Sequence, residues 1–437
     1  MTNPLMSRRS LLGLAGLGAG AAVLGTAGCG GSSGPQGDDS KALIDIWCLQ
    51  DPVQNRVQQA AVDRFNAGDA ADAKLSTFIN DAYQQKLGVA MGSEQRPDVF
   101  FNWGGGSIRE YVRGDLLVDL TPTLDADAAF KGRFLPAVLE AGKIGAQYYG
   151  VPLRGMQPII LYYNKEVLGR VGAQPPTTWA ETLTLVDRLK AESITPFALA
   201  GTQPWTLLMW IEYLADRIGG PAVFQRIADG DKTGWSDPAM IKALNEITAL
   251  VDRGGFGTNW ASVNYEAGGA GTIFAQGKAA MHLMGSWEYT NQVDQQPEFA
   301  QNGLGWTTFP VYEGGAGDPK AIVGNPTNYF SITKSSANVA DATAFLKQEM
   351  ASDAYVDDWI KAGDVPPITG LESRLSASPS PEFSAFVYGM VRDAPSFQLS
   401  WDQAVDQKYR DPMLTNLQKL FLGELDANGF ASAMAAL

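Results

Sequence analysis

The chain has 437 residues, 45% hydrophobic and 18% charged, which is an ordinary globular composition and is long enough for two domains. Its formal net charge of −14 disfavours nucleic acid and anionic lipid as partners, because binding either one requires a basic face. The 11 Trp and 14 Tyr predict a large core or clefts lined by aromatic rings, since indole is costly to expose.

Residues 1–28 have the pattern of an export signal. Arg8 and Arg9 precede an apolar run that continues to Ala27. The arginine pair suggests the twin-arginine route, although the general secretory route also uses basic residues there. Small residues before Cys29 resemble a lipoprotein signal, which predicts cleavage there and a lipid such as palmitate on the sulfur. An ordinary cleavage site with a chance cysteine is the alternative. Residues 29–41, rich in Gly and Ser, are a predicted flexible tether.

The remaining sequence alternates strand-like and helix-like segments, as expected of an α/β protein. Thr178 and Glu181 have the spacing of a helix-capping box. In GKAAMHLMGSWEY, which starts at Gly277, a buried strand is predicted to end at Gly285 and to be followed by Trp287 and Glu288. Strands are predicted at 42–49, 74–78, 98–101, around Pro152 and Pro158, at 305–311 and at 319–332, and helices at 54–66, 82–91, 108–113, 338–350, 354–361 and most of 401–437.

Several kinds of chemistry lack the residues they need. His282 is the only histidine and lies in the apolar AAMHLM run, where a core role is favoured over a catalytic one. No GxSxG sequence after the Gly/Ser-rich tether offers a nucleophile, and clustered zinc ligands are lacking, so no cofactor and no metal is predicted. Cys48, the one cysteine beyond Cys29, is expected to fill a small buried space. A glycosidase that works with two carboxylates stays open as an alternative.

Tryptophans next to amides and carboxylates recur at predicted strand and loop ends. A pyranose matches such pairs, because its C–H faces are apolar and its rim carries hydroxyls. Stacking on a ring buries apolar surface, which contributes roughly 25 cal/mol of binding free energy per Å². The polar groups then form hydrogen bonds that fix which sugar hydroxyl lies where. Core packing remains the simpler interpretation of any single tryptophan. The pairs are Trp47 with Gln50 and Asp51, Trp103 with Asn102, Trp205 with Gln203, Trp287 with Glu288, and Trp401 with Asp402 and Gln403.

These residues lie in stretches that carry a family pattern. The chain resembles the extracellular solute-binding proteins of bacterial ABC sugar importers, family 1, the group that includes maltose-binding protein. The matching stretches, in family order, are PDVFFNWGGGSIREYVRGDLLVDLTP from Pro97, YYGVPLRGMQPIILYYNKEVL from Tyr148, PPTTWAETLTLVDRLK from Pro175, FAQGKAAMHLMGSW from Phe274 and AFLKQEMASDAYVDDW from Ala344.

The resemblance implies a type II periplasmic-binding-protein-like α/β fold, in which two lobes are joined by hinge segments and the ligand cleft lies between them. It places the crossings near Pro152, Asn325 and Gly363. Lobe 1 would comprise residues 42–152 and 326–362, and lobe 2 residues 153–325 and 363–437. The ligand-binding residues it implies are Gln50, Asp51, Asn102, Trp103, Arg154, Gln203, Trp205, Trp287, Glu288, Asn325 and Trp401.

The function implied is that of a non-enzymatic receptor. It would capture a xylo-, chito- or malto-oligosaccharide outside the cell and deliver it by hinge closure to the membrane permease of an ABC importer. We expect a monomer held at the outer face of the cytoplasmic membrane only by its lipid. The same fold with other cargo (a polyol, a sugar or polyol phosphate, a peptide or a polyamine) is the alternative, and a secreted glycosidase is a third reading.

Overall fold

The computed structural model describes residues 41–266 and 268–437. The predicted export signal (1–28), the predicted lipidation site Cys29 and the predicted tether except its last residue, Lys41, lie outside the described residues. Within the described part, no helix combines the length and the apolar character needed to cross a bilayer.

The elements alternate along the chain as the sequence predicts. The strands are β1 (Ala42–Leu49), β2 (Ala71–Phe78), β3 (Val99–Asn102), β4 (Lys143–Ile144), β5 (Gln147–Tyr148), β6 (Val151–Pro152), β7 (Gln157–Asn164), β8 (Thr195–Ala198), β9 (Ala279–Gly285), β10 (Leu304–Thr307), β11 (Ile322–Asn325), β12 (Tyr329–Ile332) and β13 (Phe397–Leu399).

The helices cover the faces of the sheets and include most of the C-terminal tail. They are α1 (Pro52–Asn66), α2 (Asn80–Met91), α3 (Gly106–Arg113), α4 (Thr121–Asp125), α5 (Ala128–Lys131), α6 (Pro136–Glu140), α7 (Lys165–Arg170), α8 (Trp179–Ala191), α9 (Trp205–Gly219), α10 (Ala222–Ala228), α11 (Pro238–Asp252), α12 (Ala270–Ala275), α13 (Trp287–Gln295), α14 (Pro297–Asn302), α15 (Val339–Glu349), α16 (Asp353–Lys361), α17 (Glu372–Ser376), α18 (Pro381–Asp393), α19 (Trp401–Ala404), α20 (Gln407–Phe421) and α21 (Ala427–Ala435).

The first sheet has the strand order β2-β1-β3-β12-β6. β1 runs parallel to β2 and β3, and β12 runs antiparallel to β3 and β6. α1 buries Val57, Ala61, Val62 and Phe65, the positions that recur on one face of a helix, and it packs against β2. Cys48 of β1 is buried as predicted, and burial raises the pKa of its thiol to about 12.

The second sheet has the strand order β13-β11-β7-β9-β8, with β10 also paired to β7. Every residue of β9 is buried, which confirms the core strand predicted for AAMHLM. His282 of β9 is 1% exposed, and its Nδ1 lies 3.0 Å from the carbonyl oxygen of Ala198. The predicted core role of this histidine is therefore confirmed. The capping box at Thr178 and Glu181 is also present.

The predicted strand at 319–332 is wrong in one respect, because it is two strands in different sheets. β11 belongs to the second sheet and β12 to the first, and residues 326–328 pass between them. Pro326 has no N–H to continue a ladder, which gives a physical reason for the break. Residues 153–156 make the same passage between β6 and β7.

The two crossing segments, 153–156 and 326–328, run side by side. The N–H of Leu153 donates to the carbonyl of Asn328 at 2.9 Å, and the Thr327 hydroxyl donates to the carbonyl of Arg154 at 2.6 Å. The N–H of Met156 donates to the carbonyl of Val365, just after α16, at 2.9 Å. Three separate parts of the chain thus meet at one place between the sheets.

Candidate functional site

A cavity lies where the ends of strands from both sheets face each other, and its volume of about 1050 Å³ includes space that is open to solvent. Its wall contains most of the binding residues predicted from sequence. Those that line it are Gln50, Asp51, Trp103, Arg154, Gln203, Trp205, Trp287 and Asn325.

On the side of the first sheet, the cavity wall comes from the ends of β1 and β3. Asp51 caps α1, and its Oδ1 accepts from the N–H groups of Val53 and Gln54, both at 2.9 Å. Phe101 and Trp103 both line the cavity, two residues apart on one face of the β3 end. Their rings meet edge to face with centroids 4.9 Å apart, which fixes the half-buried indole of Trp103.

On the side of the second sheet, Trp205, Tyr265 and Trp287 form an aromatic cluster. The Trp205 ring centroid lies 5.0 Å from that of Tyr265 and 6.4 Å from that of Trp287. Gln203 holds the Tyr265 loop, because its Oε1 accepts from the Tyr265 N–H at 2.9 Å. A Cβ at Gly285 would lie 1.9 Å from Cζ3 of Trp287, so only glycine leaves room for this indole at the end of β9. The Gly-Ser-Trp sequence therefore turns a core strand into one wall of the cavity.

Arg154 lies buried at the first crossing segment, and its guanidinium is already engaged. Nη1 donates to Gln54 Oε1 at 2.8 Å and lies 3.5 Å from Asp51 Oδ2, while Nη2 lies 3.3 Å from Asp364 Oδ2. Burial lowers the pKa of Arg154, but the carboxylates of Asp364 and Asp51 outweigh it and the pKa is raised. Burial raises the pKa of Asp364 despite this partner.

Amide side chains occupy the cavity wall at the crossing segments. In the orientation that pairs donors with acceptors, Gln157 donates to Asn328 Oδ1 at 2.9 Å and accepts from Arg154 Nε at 2.9 Å. Three polar atoms in the wall, Asn325 Oδ1, Asn328 Nδ2 and Trp205 Nε1, are buried without a partner among the described residues. Such atoms are uncommon in folded proteins and mark places where a ligand can supply the missing hydrogen bond.

Trp401 does not line the cavity, contrary to the sequence-based expectation. It is fully buried, and its ring stacks on Phe224 with centroids 4.4 Å and planes 3° apart. The next two residues, Asp402 and Gln403, do line the cavity. Burial raises the pKa of Asp402, which accepts from Gln403 Nε2 at 2.9 Å.

Asn102 and Glu288 also lie outside the wall of this cavity. Asn102 is 1% exposed; its Nδ2 donates to the Ser331 hydroxyl at 2.8 Å, and its Oδ1 accepts from the Gly104 N–H at 2.9 Å. Glu288 is 2% exposed and accepts from Gln292 Nε2 at 2.6 Å, and burial raises its pKa. Both side chains form hydrogen bonds within the protein, and the contact with ligand predicted for them stays a prediction.

Sequence reasoning missed several cavity residues. They are Leu49, Ile79, Asn80, Gln84, Phe101, Gln157, Met209, Tyr265, Glu266, Asn328 and Ser400. Asp402 and Gln403 are the polar partners that the sequence pairs with Trp401, and they line the cavity although that indole does not. Tyr265 lies in a loop between α11 and α12 where no periodicity singles it out, so only a search for aromatic residues in Gly-rich loops could have found it.

The model of the bacterial extracellular solute-binding protein family matches residues 52–357. The chain belongs to this family. Among relatives, it is 26% identical to the multiple sugar-binding protein of Streptococcus mutans over 342 residues, 77% of each chain. It is 23% identical to the diacetylchitobiose binding protein DasA of Streptomyces coelicolor over 442 residues, which cover 95% of this chain and 94% of that one.

Solved structures show the fold of this solute-binding protein. A chitin oligosaccharide binding protein superposes with a TM-score of 0.81 at 23% identity, covering 91% of this chain and 98% of the other. A structure from work on xylan utilization by Caldanaerobius polysaccharolyticus superposes with a TM-score of 0.82 at 23% identity, covering 90% and 99%. The predicted α/β fold with two lobes of the periplasmic-binding type is therefore confirmed.

Proposed function

We propose that this solute-binding protein captures a neutral oligosaccharide in the cavity between the two sheets and delivers it to the permease of an ABC importer. The observation that carries the proposal is one cavity with Trp103 on one wall and Trp205, Tyr265 and Trp287 on the other. Aromatic faces suit the apolar faces of pyranose rings, and unpartnered amide and indole groups suit their hydroxyls. Relatives with the same fold are named for multiple sugars, diacetylchitobiose and chitin oligosaccharide.

The proposal assigns lobe 1 to residues 42–152 and 326–362 and lobe 2 to residues 153–325 and 363–437. Ligand contacts on both lobes would stabilise the closed state over the open one, which is a hinge population shift. The hydrogen bonds among residues 153–156, 326–328 and Val365 support a hinge at these segments. The closed form is the one that we expect the permease to recognise.

The charges of the wall support a neutral cargo over a sugar phosphate. Asp51, Glu266 and Asp402 are acidic, and Arg154 is the only basic side chain among the described residues of the wall. Its guanidinium already meets Asp364, Asp51 and Gln54. A phosphate would gain no spare cation and would face carboxylates, which is unfavourable in a partly desolvated site.

Export and anchoring complete the proposal. We propose that residues 1–28 direct export, that Cys29 carries a lipid, and that the tether 29–41 holds a monomeric receptor at the outer face of the cytoplasmic membrane. Intact mass spectrometry of the native protein tests this, because cleavage before Cys29 with added acyl chains gives a defined mass. A mature protein that begins elsewhere, or that has no lipid, would overturn the anchor alone.

Isothermal titration calorimetry tests the sugar. We would titrate the protein with xylo-, chito- and malto-oligosaccharides from two to six units and expect one ligand per chain for at least one series, with a change in tryptophan fluorescence. The Trp205→Ala variant should weaken this binding, and Trp306→Phe, away from the cavity, should not. A panel that gives neither heat nor fluorescence change refutes the sugar assignment. Chromatography of the recovered sugar separates a receptor from a glycosidase, which would shorten it.

A further inference from the structure

A second cavity adjoins the main one, and we call it the side cavity; its volume of about 480 Å³ includes space that is open to solvent. It lies between α3, which follows the first sheet, and the segment from α19 into α20. Four residues line both cavities and form the partition between them: Gln84, Trp103, Asp402 and Gln403. Gln84 and Trp103 belong to proposed lobe 1, and Asp402 and Gln403 belong to proposed lobe 2. Both lobes therefore contribute to the side cavity, as they do to the main one.

The walls of the side cavity combine apolar surface with one strong donor. Leu87, Val405 and the ring of Tyr111 supply the apolar part. Arg410 supplies the donor: its Nε is buried without a partner among the described residues, and its Nη1 meets only Asp411 Oδ1, at a long 3.5 Å. Burial raises the pKa of Tyr111 to about 12, so its hydroxyl stays neutral and can also donate.

Two other polar side chains of the side cavity have partners within the protein. The Ser107 hydroxyl donates to the carbonyl of Gly104 at 2.6 Å, and the amide of Asn102 is satisfied by Ser331 and Gly104. The Nε of Arg410, which is buried without a partner among the described residues, is a donor on a charged group that a ligand in this space can satisfy. A buried guanidinium N–H without an acceptor is costly, and an acceptor on a ligand removes that cost.

We propose that the side cavity is a second compartment of the binding site. It takes a neutral saccharide group rich in hydrogen-bond acceptors that extends past Trp103 from the sugar in the main cavity, and Arg410 donates to that group. Neutral groups are favoured because Asp402 in the partition and Asp411 beside Arg410 already balance the guanidinium charge. This inference rests on the proposed function, since it adds a specificity-determining residue to the same site.

The group that enters can be the terminal unit of a longer chain or a branch on a short one. The chemistry is the same in both cases, and two ligand series separate them. The first is linear xylo- and chito-oligosaccharides from two to six units. The second is xylo-oligosaccharides of fixed length with and without one neutral arabinosyl branch. If affinity depends on Arg410 in the first series, the group that enters is a terminal unit; if it does so in the second series, the group is a branch.

The variants are Arg410→Met, which keeps the apolar stem and removes the donor, and Ser107→Leu, which fills the space. Ser107→Ala removes the hydroxyl without filling, and Lys408→Met removes a charge from the same helix at a residue that does not line the cavity; these two are controls. Calorimetry should show that Arg410→Met and Ser107→Leu weaken the longer or branched ligands roughly tenfold and leave the shortest ligand unchanged.

Two results would overturn the inference while the proposed function stands. One is that both variants bind every ligand as the wild type does, and the other is that they weaken all ligands equally, including the shortest. Thermal melting shows whether Ser107→Leu folds, and Arg410→Met decides the matter if it does not. If the wild type binds no saccharide in either series, the proposed function itself fails.

Discussion

The guanidinium of Arg154 and the carboxylate of Asp364 form an ion pair, with Nη2 3.3 Å from Oδ2, in which the side chains are only 6% and 4% exposed. Arg154 belongs to the first crossing segment, and Asp364 follows α16 about two hundred residues later. The pair therefore joins two of the places where the chain passes between the proposed lobes. Because Arg154 is the only basic side chain of the described cavity wall, this pairing also leaves fewer of its N–H groups free to bind a ligand.

Removing Asp364 should destabilise the protein more than removing an exposed carboxylate. We expect Asp364→Ala to lower the free energy of unfolding by about 3 kcal/mol, because Arg154 is left buried with the more exposed Asp51 as its one remaining ionic partner among the described residues. Urea unfolding monitored by circular dichroism measures this. The matched control is Asp393→Ala, since Asp393 pairs with Arg392 on the surface. If both variants unfold at the same urea concentration, Arg154 does not depend on Asp364.

The tryptophans of the second sheet should dominate ligand affinity. Trp287→Ala is expected to cost about 2 kcal/mol of binding free energy, roughly thirtyfold in Kd, because a stacked indole face is lost. Trp401→Phe should leave Kd unchanged, since Trp401 packs on Phe224 inside the protein and not on the cavity. Calorimetry with the saccharide of the panel that binds most tightly measures the Kd of both variants. A large affinity loss in Trp401→Phe with normal folding would restore the sequence-based assignment.

An ion pair between the proposed lobes should favour the proposed closed state. Arg109 and Arg113 of α3 both reach Asp406, which follows α19. We expect Arg109→Ala to weaken saccharide binding roughly threefold. Salt screens exposed ion pairs, so the wild type should lose affinity when the salt concentration rises from about 50 mM to about 500 mM, and the variant should lose less. Arg133→Ala, which breaks a pair with Asp353 away from the cleft, is the control. Equal salt dependence in all three proteins would show that Asp406 does not contribute to closure.

Most of the fold was readable from the sequence because its elements carry strong periodic signals. The apolar face of α1 and the buried run of β9 are examples, and both form as predicted. The crossing at 326–328 was harder, because Ile322–Asn325 and Tyr329–Ile332 read as one strand and only the tertiary pairing separates them. Strand assignment does not say which sheet a strand joins.

The candidate site was predicted less well because neighbours in sequence point in different directions. At the end of β3, Phe101 and Trp103 line the main cavity, and the Asn102 side chain between them is 1% exposed and lies on the opposite face, as the two-residue period of a strand requires. In α13, Glu288 follows Trp287 by one residue, which is about 100° around a helix, and points into the core. A motif therefore identifies the region that lines the cavity, and the backbone geometry selects the residue.

Glu212 on α9 gives a prediction for the pH dependence of stability. It is fully buried, and its Oε1 accepts from the N–H of Trp401 at 2.7 Å while Oε2 has no partner among the described residues. Burial raises the pKa of this carboxyl from 4.5 to about 8. Between these two pH values the native state holds a proton that the unfolded state has released. This group therefore lowers the free energy of unfolding as pH rises from about 4.5 to 8, and it has no further effect above 8.

The Glu212→Gln variant should remove this dependence, because its amide oxygen can still accept from Trp401 and carries no charge. Relative to the wild type, we expect it to gain about 4 kcal/mol of stability between pH 5 and pH 9, with most of the gain reached by pH 8. Urea unfolding at pH 5, 7 and 9 measures the difference between the two proteins, which cancels the contributions of other buried acids. Glu298→Gln, at an exposed position, is the control and should follow the wild type. A Glu212→Gln profile parallel to that of the wild type would mean that Glu212 is ionised in the native protein at neutral pH.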